Sequence, residues 1–361
     1  MTPSVVMPPP RTTTGVYASV MSAVLKRSIL RVLTNPLVLP LLERLSRHRA
    51  TILMCHRFEH RALGTAGHSP AALAASLEWL RRRRYHIAPL GDLVDALLGE
   101  RPLPPRTVVF TVDDGYQDFG DIAAPVFARY DCPVTVFLAT GFIDRTCWLW
   151  WDQVEYAFRS TTRASLELAP SGEPVRLQWD SEATRDNAVQ AVIEMLKRLP
   201  RRERIACFTA MLSQLDVALP DAAPQGYAPM TWDAVRTLGR QGVTFGPHTV
   251  THPILSRVPD DQAQVEIAES WARVRAETDT AIPVFCYPNG DPDSFGLREV
   301  AIVRRTGLRA ALTTIPGQVA RQPVTATSEP HFSLPRYAYS TDLPRLAQAV
   351  SGLEMLKGSL R

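Results

Sequence analysis

The sequence predicts an α/β barrel, with strands of one parallel sheet each followed by a helical stretch. Three observations point there. Short β-branched and apolar runs alternate with stretches of helical period, as in βα units around a parallel sheet. A chain of 361 residues suits one large α/β barrel. The residues able to do chemistry fall at the C-terminal ends of the apolar runs, where such barrels build their sites.

In chain order, Thr51–Cys55 is the first strand, and a loop runs from it through Pro70. Ala71–Arg83 follows as a helix, with Leu73, Leu77 and Leu80 on one face. Thr107–Val112 is a strand ending in two aspartates, and Val134–Ala139 is the next. Val243–Phe245 leads into a histidine loop, Val284–Tyr287 leads into Pro-Asn-Gly-Asp, and Ala310–Thr313 follows another helix. Between Trp148 and Ala228 the pattern changes. Residues 160–186 read as polar with weak periodicity, and a helical stretch near 185–215 carries Ala191, Met195 and Leu199. This reads as an insertion over the barrel mouth, residues about 148–228, within a barrel of residues 49–345. A partly helical N-terminal extension, 1–48, and a C-terminal helix or tail, 346–361, flank it. Residues 1–15 and 321–330 are expected to be poorly ordered.

Composition narrows the partners. The net charge of +4 is small and dispersed, and no basic stripe of the kind nucleic acid requires is present. Arg81–Arg84 and the group Arg201, Arg202 and Arg204 read as solvated helix faces. The five cysteines, Cys55, Cys132, Cys147, Cys207 and Cys286, show no metal-finger spacing. Several sit in apolar runs, as buried small hydrophobes of a reducing compartment do. Residues 16–33 form a basic amphipathic stretch too interrupted to span a bilayer but suited to peripheral contact with an anionic membrane. Met1–Thr14 lacks a signal-peptide pattern, so the expected compartment is the cytoplasm, including the face of the inner membrane.

The chemistry concentrates in two segments, FTVDDGYQDF at 110–119 and FGPHTVTHPILS at 245–256. The first supplies adjacent carboxylates, Asp113 and Asp114, and the second His248 and His252 at i, i+4. One carboxylate with two imidazoles is a common donor set for a catalytic divalent metal with an open position. Adjacent side chains diverge along a strand, so the strand must be ending for both aspartates to reach one site. Gly115 supplies freedom for that turn. Thr249, Val250 and Thr251 are β-branched and Pro253 follows, so the histidines belong to a compact loop rather than a long helix.

T-V-D-D-G followed by H-T-V-T-H-P resembles the polysaccharide deacetylase family, the carbohydrate esterases that include chitin, peptidoglycan and poly-N-acetylglucosamine deacetylases. The likeness runs from about Thr51 to Tyr337 and takes in L-M-C-H-R-F, P-V-T-V-F-L-A-T-G, W-W-D-Q-V-E, M-T-W-D, F-C-Y-P-N-G and S-L-P-R-Y. It implies a distorted (β/α) barrel and metal-dependent hydrolysis of an N-acetyl group. By that resemblance Asp113 is the general base, and Asp114, His248 and His252 hold the ion. Zinc is the default for such donors, with Co, Ni, Fe or Mn also compatible.

The chain departs from the family pattern twice. The family arginine that orients the base is replaced by Cys286, and Arg336 in S-L-P-R-Y is the candidate to supply the guanidinium instead. No late L-x-H offers the usual acid. His56, ending the first strand, and His331, in a Pro-flanked loop, are the two candidates. We favour His56, because the exopolysaccharide branch of the family has a histidine there. His48, His60, His68 and His86 are expected to face solvent. Tyr116, Tyr287, Trp148, Trp150 and Trp151 could stack on sugar rings or pack in the core. The expected substrate is an N-acetylated sugar of a bacterial polysaccharide or a lipid-linked precursor. An O-acetyl esterase on the same scaffold and a non-catalytic glycan-binding barrel are the alternatives, and the sequence leaves the oligomeric state open.

Overall fold

A computed structural model describes residues 48–170, 174–320 and 329–353. The chain divides into two compact units, residues 48–339 and a second made of 1–47 with 340–361. The described part of the second contains the helix Leu343–Val350. The stretch expected to form a helix at 16–33 lies outside the described residues, as do 1–15 and 321–328.

The larger unit is built on strands β1 (Arg49–Cys55), β2 (His86–Ile87), β3 (Thr107–Val112), β4 (Val134–Leu138), β5 (Ser165–Leu168), β6 (Val175–Gln178), β7 (Thr244–Pro247), β8 (Val284–Cys286), β9 (Ala310–Leu312), β10 (Val319–Ala320) and β11 (Tyr337–Ala338). β1 pairs in parallel with β3, β3 with β4, and β4 with β7. β8 and β9 form a second parallel pair. Two short links join these pieces. Phe245 in β7 exchanges bonds with the segment before β8, accepting from Ile282 N and donating to Thr280 O. Leu312 in β9 bridges Leu334, and β11, just after it, pairs in parallel with β1. The circuit β1–β3–β4–β7–β8–β9–β11 therefore returns to its start with incomplete ladders, which is the distortion of this barrel. β10 lies antiparallel against β1.

Strands covered on both faces read as continuous apolar runs. All six residues of β3 and all five of β4 are buried. The core joins Ile52, Val109, Phe137, Val284, Leu312 and Leu334. The first helix spans Pro70–Arg82, so Pro70 opens it rather than closing the loop, in the first-turn position where proline's missing N–H costs nothing. Leu73, Leu77 and Leu80 are fully buried.

The insertion departs from its sequence reading. Ser165–Leu168 and Val175–Gln178 pair as the antiparallel strands β5 and β6, within a tract that read as polar with weak periodicity. Leu166 and Leu168 point inward while Ser165 and Glu167 point out, a two-residue alternation too short to register against its polar outer face. The helical tract splits into Glu182–Arg198 and Arg201–Leu215, because Pro200 bars Leu199 from helical conformation. Val154, Phe158, Leu166, Leu168, Val192 and Leu196 share an apolar core of their own. The insertion nonetheless belongs to the same compact unit as the barrel.

Candidate active site

The two aspartates follow β3 directly. Asp113 N donates to Cys55 O at 3.0 Å, extending the β1–β3 ladder by one step. Asp114 then turns to φ +75°, a left-handed conformation, and this swing brings its carboxylate to the same side as that of Asp113. Gly115 continues at φ +92°, and a Cβ there would lie 2.8 Å from Ile143 Cδ1 and 2.9 Å from Leu138 Cδ2. Left-handed non-glycine residues recur at Thr249 (φ +66°) and His252 (φ +53°). Each costs on the order of 1–3 kcal/mol and persists where the surrounding structure imposes it, commonly at functional sites.

Arg336, immediately before β11, is completely buried. Its Nη1 and Nη2 donate to Asp113 Oδ1 at 2.8 Å and Oδ2 at 2.7 Å, a bidentate pair. The remaining donors reach Thr313 O at 2.8 Å, Thr111 Oγ1 at 3.1 Å and Cys286 Sγ at 3.1 Å. All five guanidinium N–H groups thus have partners, which is what makes a buried arginine tolerable. Burial by itself would raise the Asp113 pKa. The charge and hydrogen bonds of Arg336 outweigh it, and His248 and His56 add to the lowering, so the carboxylate stays ionised well below the usual range. Cys286 packs against the same pair, with Sγ 3.6 Å from Asp113 Oδ2. Burial holds it as a thiol, against the lowering influence of Arg336.

His248 and His252 occupy a compact loop. Asp114 Oδ1 is 3.6 Å from His248 Nε2 and 3.5 Å from His252 Nε2. His248 Nδ1 lies 2.7 Å from the carbonyl of Cys286. As donor to that carbonyl it fixes the tautomer and leaves the Nε2 lone pair toward Asp114. Burial lowers the pKa of His248 to about 4, and that of His252 well below its ordinary value, so both are neutral at pH 7. Glu266, buried in the helix Asp260–Glu277, holds the loop from behind. It accepts from the amides of Val250 and Thr251, each at 2.8 Å, and from Thr251 Oγ1 at 2.5 Å.

These donors fit a divalent cation. Asp114 Oδ1 is buried and has no hydrogen-bond partner among the described residues, and both facing imidazole nitrogens are neutral acceptors. Burial raises the Asp114 pKa, and the nearby carboxylates Asp113 and Asp152 raise it further. A carboxylate crowded by others, with no donor to its Oδ1 among the described residues, is one that a cation would stabilise.

His56, just beyond β1, places Nε2 3.7 Å from Asp113 Oδ2, with its side chain 45% exposed. Desolvation lowers its pKa against the opposing charge of Asp113. His56, both aspartates, His248 and His252 all line one cavity of about 510 Å³. His331, the competing candidate, is buried in the short 3₁₀ segment Pro330–Ser333 and is not among the lining residues.

Several expectations need correction. Tyr116, Trp151 and Tyr287 line the cavity, whereas Trp148 and Trp150 do not. Trp150 packs against the insertion core. His68 does not face solvent freely, its ring lying edge-on to Tyr339 at 4.8 Å, and His60 is half-buried with Nδ1 enclosed. Cys55, Cys132 and Cys286 are buried as expected, while Cys147 and Cys207 are half-buried.

The sequence reading missed Glu266, Asp152, Arg57 and Asp118. Arg57 Nε donates to Asp118 Oδ2 at 2.6 Å, and Asp118 Oδ1 accepts from Phe58 N at 3.0 Å. That pair locks the segment after His56 to the segment after Asp114. Asp152 is buried, which raises its pKa to about 7. Its position beside an aromatic pair was a usable signal, whereas Glu266 sits in an ordinary charged helix and offered none.

An α/β barrel with an Asp/His/His donor set and an arginine-held carboxylate at its C-terminal rim defines a class of candidate hydrolases. The family model of polysaccharide deacetylases matches residues 100–164 and 175–311, and the chain belongs to that family. It is 29% identical over 105 residues to the poly-beta-1,6-N-acetyl-D-glucosamine N-deacetylase of Escherichia coli strain K12. That match covers 25% of this chain and 16% of the relative, so the chain spans a small part of the curated protein it matches. The structure of the Streptococcus pyogenes deacetylase PplD in complex with acetate is similar at a TM-score of 0.53 and 18% identity, over 84% of this chain and 99% of that one. This likeness concerns the fold. The deacetylase domain of BpsB from Bordetella bronchiseptica gives a TM-score of 0.48 at 16% identity, over 81% and 98% of the two chains. No helix among the described residues is long and apolar enough to cross a membrane.

Proposed function

We propose that the chain is a metal-dependent hydrolase that removes N-acetyl groups from amino sugars of a bacterial exopolysaccharide or its precursor. The observation that carries this reading is the side-by-side placement of two differently tuned carboxylates. Asp113 is neutralised by Arg336, while Asp114 faces two neutral imidazoles with an unpartnered oxygen. One is equipped to accept a proton and the other to bind a cation. The relative's name and the family membership support an acetylated amino sugar as substrate.

Asp114, His248 and His252 would hold the ion, which we take to be zinc. When bound it would supply Lewis-acid polarisation of the acetamide carbonyl and lower the pKa of a water. Asp113 takes one proton from the attacking water as the water oxygen bonds to the carbonyl carbon. Arg336 keeps Asp113 ionised and aimed through Nη1 and Nη2. His56, in its protonated form, gives its proton to the sugar nitrogen as the C–N bond breaks, so the products leave as an amine and acetic acid, which ionises to acetate in solution. Without that proton the leaving group would be an amine anion, and general-acid help of this kind contributes roughly 10²–10⁴-fold.

The cavity wall suits a carbohydrate, combining aromatic surface from Tyr116 and Trp151 with polar groups from Glu155, Arg159 and Gln190. The test is acetate release from a panel of N- and O-acetylated glycans, with and without added divalent metal. Metal-dependent release from an N-acetylated glycan supports the proposal. Release from O-acetylated substrates alone would replace it with an esterase, and binding without release would make the chain a glycan-binding barrel.

A further inference from the structure

The two histidines of the site are held in different ways. His248 is tied through Nδ1 to the Cys286 carbonyl at 2.7 Å. His252 Nδ1 is buried and makes no hydrogen bond to another described residue. Its own backbone favours the protonated ring slightly, but an intraresidue contact cannot fix a ring relative to its neighbours. Metal-ligating imidazoles usually have their second nitrogen anchored to a carbonyl, carboxylate or water. Among the described residues none anchors His252 in that way.

Trp151 meets the His252 ring edge to face, with centroids 4.5 Å apart and planes at 69°. On another side His248 packs at 4.7 Å and 76°. The indole is itself anchored. Trp151 Nε1–H donates to Tyr116 Oη at 3.0 Å, and the Tyr116 hydroxyl donates to Asp152 Oδ2 at 2.7 Å. The Arg57 guanidinium lies 3.9 Å over the Tyr116 ring. Trp151 and Asp152 belong to the first turn of the helix Trp150–Ser160 in the insertion, whereas Tyr116 follows Asp114 by two residues.

We propose that Trp151 is a positioning residue for His252. Its indole, locked by Tyr116 and Asp152, does for the His252 ring what the Cys286 carbonyl does for His248. The insertion therefore completes the metal site as well as covering the cavity. This rests on the reading of Asp114, His248 and His252 as metal ligands. The consequence is a site whose metal affinity depends on an aromatic contact from a segment outside the barrel. Removing an outer partner of a ligating histidine typically costs 10–100-fold in metal affinity, and the same range is expected here.

The experiment titrates metal-free protein with Zn(II) and Co(II) against a chromophoric chelator and records the visible Co(II) spectrum. The proteins are wild type, Trp151→Leu, Trp151→Phe and Tyr116→Phe, each first checked for folding by circular dichroism and thermal midpoint without metal. Trp151→Leu should bind roughly 10–100-fold more weakly, with an altered Co(II) band. Trp151→Phe, which keeps a ring against His252 but loses the Nε1–H bond to Tyr116, should fall between wild type and Trp151→Leu. If Trp151→Leu does not fold, Tyr116→Phe carries the test, because it frees the indole without emptying its place, and weaker binding is again expected. A folded Trp151→Leu with wild-type affinity and spectrum overturns the positioning role while leaving the ligand assignment standing. A wild type that binds neither ion overturns the ligand assignment and this proposal together.

Discussion

Replacing Arg336 by methionine tests the electrostatic design of the site. The change keeps much of the volume but removes five hydrogen bonds, two of them to Asp113. It leaves a carboxylate that is 2% exposed without a counter-charge. Breaking a buried pair from one side costs about 3–5 kcal/mol, a large share of the roughly 5–15 kcal/mol that stabilises a typical domain. The sign with pH follows from Asp113, whose folded pKa is depressed below its unfolded value near 3.9. Its stabilising contribution is fully present above about pH 4 and is lost as pH falls through the depressed folded value. The stability gap between wild type and Arg336→Met should therefore be widest at neutral pH and narrow in acid. With Arg336 gone, burial is the main influence left on Asp113, and its pKa should rise. Turnover at neutral pH should then fall about 10²–10⁴-fold, as for loss of a general base, with partial recovery at higher pH. Urea unfolding from pH 3 to 8, with acetate release over the same series, reads both effects. Arg336→Met combined with Asp113→Asn should recover much of the lost stability but none of the activity, with a coupling of roughly 2–3 kcal/mol. A loss below about 1 kcal/mol, within the range of an exposed pair, with unchanged turnover would refute this reasoning.

Other predictions concern the acid and the turn. His56→Ala should abolish deacetylation of N-acetyl sugars while sparing activated aryl acetates, whose leaving groups need no proton. Equal loss on both substrates, compared by kcat/KM, would give His56 a binding role instead. Gly115→Ala should destabilise by roughly 1–3 kcal/mol, from its left-handed φ and the contacts with Ile143 and Leu138. It should also weaken metal binding by shifting Asp114, and unchanged stability and affinity together would show that the turn has slack.

The parallel strands were legible because burial on both faces makes them apolar throughout, as in FTV before Asp113 and VTVFL at 134–138. The residues at their ends were legible because metal and acid-base chemistry draws on few residue types. Arg336 could be anticipated because Cys286 left a cation unsupplied, although its five partners could not. The β5–β6 pair escaped notice because four-residue strands with polar outer faces carry almost no periodic signal. Glu266 escaped because its role comes from a tertiary approach of a helix to a loop fifteen residues earlier. The left-handed turn at Asp114 was only half visible, since Gly115 advertised freedom while the aspartate before it also takes it.

The most direct test is a metal titration of Asp113→Asn beside wild type, with bound metal and acetate release from an N-acetylglucosamine oligomer measured on the same samples. The account predicts that both proteins bind one catalytic ion through Asp114, His248 and His252. Wild-type activity should rise in step with that ion, while Asp113→Asn stays about 10²–10⁴-fold lower at full occupancy. Asp113→Asn turning over at the wild-type rate, or wild type releasing acetate at full rate after complete metal removal, would contradict it.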